Sequence, residues 1–224
     1  MREAVAQARA ALLAGRVALV PTDTVYGLAA ALDVPAGIDA LYTLKGRPRA
    51  QPCQVLLMTP GLLEEALAGL ESRTREAAAA LLPGPATCLV PDPSGRFAAA
   101  AGDTPGSVGL RAPAMSGVIL ALDIPLVATS ANHPGGADPA EVAEVPRDLR
   151  DACAVIDGGR LPGTASAVVD LRPLAQGGEA VLMRPGPDPE GVAGALAAAG
   201  VQVVRPPAAG TLESGQRRLG GRSE

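Results

Sequence analysis

The 224-residue chain contains a single lysine, a single histidine, no tryptophan and only three aromatic side chains. Each scarcity excludes something. Two tyrosines and one phenylalanine cannot form the stacking platform of a single-strand nucleic-acid binder, and a net charge of -4 with pI near 5.1 removes the global basic footprint of an autonomous one. Three cysteines, Cys53, Cys88 and Cys153, are odd in number, widely spaced and set in apolar segments. They form neither a disulfide framework nor a zinc-ligand pattern, and read as small core residues in a reducing compartment. No run approaches the roughly twenty apolar residues a membrane helix needs, and the N-terminus mixes charges into a helical pattern instead of an unbroken signal-peptide core. A soluble cytoplasmic protein with no membrane partner is expected.

Apolar residues are plentiful, at 48%, against 19% charged, so the chain can bury a core, and its length fits one sizeable domain. Residues 2 to 14 have helical spacing and stop at Gly15; 17 to 22 reads as a buried strand. A helix is expected over 37 to 46, placing Ile38, Leu41, Tyr42 and Leu44 on one side. Two amphipathic helices follow in 60 to 82, broken near 69 to 72, then a helix over 115 to 123 and a last one over 188 to 200. Strands are expected at 55 to 58, 86 to 90, 107 to 113, 125 to 130, 152 to 157, 166 to 171 and 179 to 184. Alternating helices and apolar strands indicate an α/β fold with a twisted mixed sheet flanked by helices. The closely spaced strands from 152 to 184 imply antiparallel pairs within it. A single domain is assigned to 1–204 and a flexible tail to 205–224. Residues 92 to 106 lack periodicity and read as a mobile loop over a site.

Polar clusters fall where strands end, the usual place for a ligand in an α/β sheet. In PTDTVYG (21 to 27), Thr22, Asp23 and Thr24 are natural caps for a short helix starting near Val25, and Thr24 offers a hydroxyl to a ligand. SANHPGG (130 to 136) presents Ser130 and Asn132 in a turn. The lone histidine, His133, has no visible partner and reads as a turn residue. Lys45 stands alone among eighteen arginines, in KGRPRAQP at a helix C-terminus: either one lysine had to fall somewhere in an arginine-biased chain, or this position needs a compact ammonium that a guanidinium cannot imitate. Lys45, Arg47, Arg111 and Arg184 are four cations able to converge on one cavity of an acidic protein, which suits a polyanion such as a nucleotide triphosphate. No P-loop and no strand-linked GxGxxG accompanies them, so phosphates would be held by side chains.

PTDTVYGL, LYTLKGRPRAQP, LLPGPATCLV, SVGLRAP, PLVATSANHPGG, SAVVDL and VLMRPG occur in an order and spacing that resemble the YrdC-like family of L-threonylcarbamoyladenylate synthases, in its single-domain (TsaC-type) form. The resemblance covers about residues 8 to 200 and implies a concave, positively lined cavity. The reaction it implies joins L-threonine, bicarbonate or CO2, and ATP with Mg²⁺, giving L-threonylcarbamoyl-AMP and pyrophosphate. A downstream tRNA threonylcarbamoyl transferase complex would then modify a tRNA adenosine, with at most a weak tRNA contact by this chain. Carried over by position, Lys45 and Arg47 are catalytic and bind ATP with Gln51, Ser107, Asn132 and Arg184. Thr24, Arg111, Ser130 and Ser166 bind L-threonine. Departures from the family pattern are Gln51 in place of Asn, Leu56 where some members have His, Cys53 and Gln54 for an apolar pair, Ala167 after Ser166, and Ala140 where a hydroxyl is common. The competing expectation is an RNA-binding module of the same fold without catalysis.

Overall fold

The computed structural model describes residues 1–205, so the tail expected over 205–224 lies outside the described residues except for Arg205. Its elements in chain order are α1 (Arg2–Leu13), β1 (Ala18–Val20), β2 (Gly27–Ala31), α2 (Pro35–Lys45), β3 (Gln54–Leu56), α3 (Pro60–Leu67) and α4 (Ser72–Leu81). Then come β4 (Ala86–Pro91), β5 (Ser107–Arg111), β6 (Leu126–Ser130), α5 (Arg147–Asp151), β7 (Ala154–Val155), β8 (Ala167–Asp170), β9 (Ala180–Arg184), α6 (Pro189–Ala198) and β10 (Val203–Val204). The strands form one mixed sheet in the order β10-β9-β8-β4-β5-β3-β6-β2-β1-β7.

Helix ends follow local chemistry. Thr59 Oγ1 accepts from Leu62 N–H and precedes Pro60; the Glu71 carboxylate accepts from Arg73 and Thr74; Asp188 accepts from Gly191. Such caps are each worth about 1 kcal/mol. Helix α2 has no side-chain cap at its start but stops at Gly46, which takes the left-handed conformation at φ 61°. That stop leaves Lys45 as the last helical residue, its side chain 4% exposed.

Strand alternation divides the apolar residues between two cores. Leu19, Leu28, Val55, Leu110 and Val169 face one side, covered by α2, α3, α4 and α6 through Leu41, Leu63, Ala77 and Leu196. Ala18, Val20, Ala29, Leu56 and Ala128 face the other, where Val5, Ala8 and Leu12 of α1 pack together with Ile119 and Leu122. Helix α1 lies mainly against β1, β2, β7 and the 3-10 turn at Gly117–Ala121. The second face is therefore roofed over one half of the sheet and left open over β3, β5, β4 and β8, where Leu89 and Val168 remain partly exposed.

Four local expectations change. No helix starts near Val25: Thr22 Oγ1 accepts from the Thr24 and Val25 N–H groups, forming a turn, and GLAAA becomes a central strand between β1 and β6. Its alanine-rich, fully buried sequence carries no polar alternation to reveal a strand. The helix expected over 115 to 123 shrinks to a 3-10 turn at Gly117–Ala121. Of the strands expected to pair antiparallel between 152 and 184, β8 and β9 do so, whereas β7 joins β1 in parallel at the opposite edge. Residues 92 to 106, expected to lack structure, are tied down. The Asp92 carboxylate accepts from Arg96 and Phe97 N–H, Phe97 is buried, a 3-10 turn covers Ala98–Ala100, and Cys53 and Asp103 N–H reach Ala100 and Ala50 carbonyls.

Candidate active site

The open half of the sheet forms a cavity of about 450 Å³. Seven of the ten residues singled out from the sequence line it: Thr24, Arg47, Ser107, Arg111, Ser130, Ser166 and Arg184. Period-two spacing explains the floor, since Gln54 and Leu56 on β3, Ser107, Gly109 and Arg111 on β5, and Thr87 and Leu89 on β4 share one face.

Lys45 and Asn132 form the wall behind Ser130. The Lys45 ammonium donates to the Ser130 carbonyl at 2.7 Å and to both the carbonyl and the side-chain oxygen of Asn132. Asn132 Oδ1 also accepts from Ser130 Oγ at 2.8 Å, and its Nδ2 donates to Gly136 O and Asp138. Three oxygens around one point suit an ammonium's three donors, whereas a planar guanidinium could not satisfy them. This geometry explains the chain's only lysine. Burial, and next the charge of Arg47, push the Lys45 ammonium down to about 8, with Asp138 opposing. Arg47 donates from Nη2 to Pro52 O at 2.7 Å, and its buried Nε has no partner. His133 is an exposed turn residue facing Asp148 at 3.3 Å.

At the other end of the cavity Arg111 is 1% exposed. Its Nη1 donates to the Gly84 and Ala86 carbonyls, and its Nη2 to Asp23 and, at 3.3 Å, to Thr24 Oγ1. The second oxygen of Asp23 accepts from Ala114 N–H at 2.9 Å. Burial lowers the guanidinium from its ordinary value, an effect that the Asp23 charge opposes. The fork at the end of β5 is thus filled by protein groups, and Arg111 organises Thr24 and the turn at 84 to 86. The tyrosine of PTDTVYG is an anchor: Tyr26 is fully buried, donates to Gly159 O at 2.8 Å and accepts from Gly158 N–H at 2.9 Å.

Arg184 is exposed and reaches in from the end of β9, donating from Nε to Ser166 O at 2.8 Å and from Nη2 to Ser166 Oγ at 3.3 Å. Ser166 Oγ is 3.1 Å from Thr87 Oγ1, which donates to Gln54 Oε1 at 2.9 Å. Of the four cations expected to converge, three line the cavity and Lys45 stands behind its wall. Gln51 is placed elsewhere: it is exposed, outside the cavity, and its carbonyl accepts from Tyr42.

Sequence reasoning missed Thr87, Asp138 and Arg172 as lining residues, and read Asp23 only as a cap and Gln54 only as a departure. A polar residue two positions from an apolar one in a buried strand, as in Gln54–Leu56 and Thr87–Leu89, was the available signal. Arg172 lies against Asp170 in a two-point ion pair at 2.7 and 2.8 Å and had none.

The family profile described as Sua5/YciO/YrdC, telomere recombination, matches residues 10–186. The chain belongs to the Sua5/YciO/YrdC family. Among relatives, it is 35% identical over 195 residues to the threonylcarbamoyl-AMP synthase of Homo sapiens, covering 82% of this chain and 67% of that protein. It is 34% identical over 173 residues to the threonylcarbamoyl-AMP synthase of Chromohalobacter salexigens, covering 75% of this chain and 92% of that one. The crystal structure of P. abyssi Sua5 complexed with L-threonine superposes with a TM-score of 0.75 at 27% identity, covering 91% of this chain. This Sua5/YciO/YrdC chain spans 60% of the length of that Sua5. The same sheet recurs in E. coli YciO, with a TM-score of 0.71 at 19% identity.

Proposed function

We propose that this chain is an L-threonylcarbamoyladenylate synthase, a nucleotidyltransferase that makes L-threonylcarbamoyl-AMP and pyrophosphate from L-threonine, bicarbonate or CO2, and ATP. The observation that carries the reading is one cavity lined by Arg47, Ser130, Thr24, Arg111 and Ser166, with Lys45 and Asn132 hydrogen-bonded to Ser130 behind its wall. The names of the relatives and the threonine-bound P. abyssi Sua5 support the same reading.

The chemistry follows from the groups present. The threonine ammonium first gives up a proton to solvent, and the free amine then condenses with bicarbonate to the carbamate with loss of water. A carbamate oxygen then attacks the α-phosphorus of ATP, and the bond to the bridging oxygen of pyrophosphate breaks. Charge accumulates on phosphate oxygens, so fixed cations aimed at them lower the barrier most. Arg47 lines the cavity with an unpartnered N–H, and Lys45, held behind Ser130, would reach a phosphate oxygen by giving up the Ser130 carbonyl. The phosphate charge would also relieve the burial and repulsion that depress its proton affinity. Thr24 and Ser166 fix the amino acid beside the nucleotide, and holding two reactants in register supplies much of the rate without a protein base.

Mg²⁺ would enter on the ATP phosphates and neutralise part of their charge. Among the described residues no group of three or more His, Cys, Asp or Glu could cage an ion, and Asp138, the one carboxylate in the cavity lining, would be the protein group available to it. Ser107, Asn132 and Arg184 are assigned to ATP with Lys45 and Arg47. A transferase complex acting on tRNA would consume the product.

The test is to incubate purified protein with ATP, Mg²⁺, bicarbonate and L-threonine, and to follow pyrophosphate and the adenylate by mass. Product that requires both threonine and bicarbonate and is lost in Lys45→Ala establishes the synthase. Folded protein giving no threonine-dependent product would sink it and favour a non-catalytic RNA-binding role.

A further inference from the structure

The floor of the cavity carries a hydrogen-bonded row that runs across the sheet from β3 to β9. Gln54 on β3 sits opposite Gly109 on β5 and Ala128 on β6, so no neighbouring side chain blocks its reach. Its amide oxygen passes over Gly109 to the hydroxyl of Thr87 on β4 at 2.9 Å. A Cβ placed on Gly109 would stand 3.2 Å from Thr87 Cγ2 and 3.7 Å from Gln54 Cβ, which shows how closely the row hugs the backbone. The row continues from Thr87 to Ser166 at 3.1 Å and from Ser166 to Arg184 at 3.3 Å.

Proton counting gives this row a direction. A hydroxyl has one hydrogen to donate. Thr87 spends its hydrogen on the Gln54 oxygen, so toward Ser166 it can only accept, and Ser166 must donate to it. Ser166 Oγ then accepts from Arg184 and has a lone pair, but no hydrogen, left for the cavity. Whatever meets Ser166 there must itself be a donor. An ammonium is disfavoured so close to the Arg184 guanidinium, whereas a neutral hydroxyl is not.

We propose that Gln54 is a specificity-determining positioning residue: by accepting from Thr87 it turns Ser166 into an obligate acceptor that reads the side-chain hydroxyl of a β-hydroxy amino acid. Its own Nε2, which has no protein partner among the described residues and is not a buried orphan, offers two hydrogens to an acceptor on the same substrate. The assignment rests on the proposed synthase reading. It concerns Gln54 and Thr87, which need not touch the reacting atoms.

The test measures binding of L-threonine and of L-2-aminobutyrate, which lacks the hydroxyl, to full-length wild type, Gln54→Leu, Thr87→Val and the double variant by calorimetry, with KM for ATP in the adenylate assay. A site built around a substrate hydroxyl discriminates strongly against the analogue without it. In Gln54→Leu, Thr87 is free to donate to Ser166, whose hydrogen then turns into the cavity. The threonine Kd rises and the preference over aminobutyrate falls by about tenfold, the scale of one misdirected hydrogen bond, while KM for ATP stays within about twofold. The double variant loses no more than Thr87→Val alone, because both break one row. Unchanged discrimination in Gln54→Leu, or effects that multiply in the double variant, would overturn the assignment. Gln54→Met, unbranched and of similar length, gives the same reading if the leucine variant melts early. Wild-type protein that binds no threonine overturns the synthase reading together with this one, whereas wild-type binding with an unaltered Gln54→Leu overturns this one alone.

Discussion

Lys45 is gripped by Asn132 twice, through the backbone carbonyl and the side-chain oxygen of the same residue. The last residue of a helix and a turn 87 positions later are thereby locked at one point, with the Ser130 carbonyl as the third oxygen. Arginine keeps the charge but cannot place three hydrogens on these oxygens. Lys45→Arg is expected to fold, to lower kcat/KM for ATP by about a hundredfold (~2.7 kcal/mol), and to leave threonine binding nearly intact. Equal losses for both substrates would contradict this division of the cavity.

The same ammonium sets a pH dependence. Its proton affinity is pulled from 10.5 to about 8, first by burial and then by Arg47. Below about 8 the native state carries the charge; between about 8 and 10.5 the native state has lost a proton that the unfolded chain retains, so this group makes stability rise with pH in that window. Function runs the other way, because the charge meant for phosphate disappears. A pH profile of kcat/KM for ATP should therefore fall above about pH 8, the value held by the free protein. In Arg47→Ala the limb should move upward, since one of the two depressing causes is gone; a limb that stays in place would assign it to another group.

Asp23 balances a guanidinium that is 1% exposed. Removing one partner of a buried pair typically costs about 3–5 kcal/mol because the other charge is left uncompensated. Asp23→Ala should lower the melting temperature strongly, and Asp23→Asn, which still accepts from Arg111, much less. Melting curves for the two variants check this: both lack the charge and only asparagine keeps an acceptor, so equal curves would assign the whole loss to the missing charge and none to the hydrogen bond.

Gly102 has φ +56° and would place a Cβ 2.4 Å from the Ala50 carbonyl oxygen. Gly102→Ala should destabilise the protein by roughly 2 kcal/mol through backbone strain and collision. An unchanged melting temperature would show instead that 92 to 106 is not bound to 50 to 53 in solution.

Burial raises all three thiols, Cys88 and Cys153 to about 12. Ellman's reagent at neutral pH should label the native protein slowly and react with three thiols only after denaturation. Rapid labelling of Cys88 would contradict its complete burial.

Sequence alone located most of the elements and seven cavity-lining residues, because both leave local traces. Apolar strands ending in polar turns, a glycine stop after Lys45 and a lone lysine in an arginine-rich chain are visible one window at a time. It misread GLAAA because small buried residues carry no periodicity, and 92 to 106 because Asp92 and Phe97 act through tertiary contacts.

What the sequence determined by itself is the inventory: an α/β chain with a lysine, arginines and hydroxyls at strand ends, in an order that marks its family. Only the tertiary structure decided their roles. It roofed one half of a sheet face and left the other open, filled the fork of Arg111 with Asp23 and two carbonyls, and ran Gln54 over Gly109 to Thr87. The reason is physical. Periodicity and propensity act within a few residues, whereas a hydrogen bond's direction or an ion's partner depends on groups that folding brings together from 33 or 88 positions away.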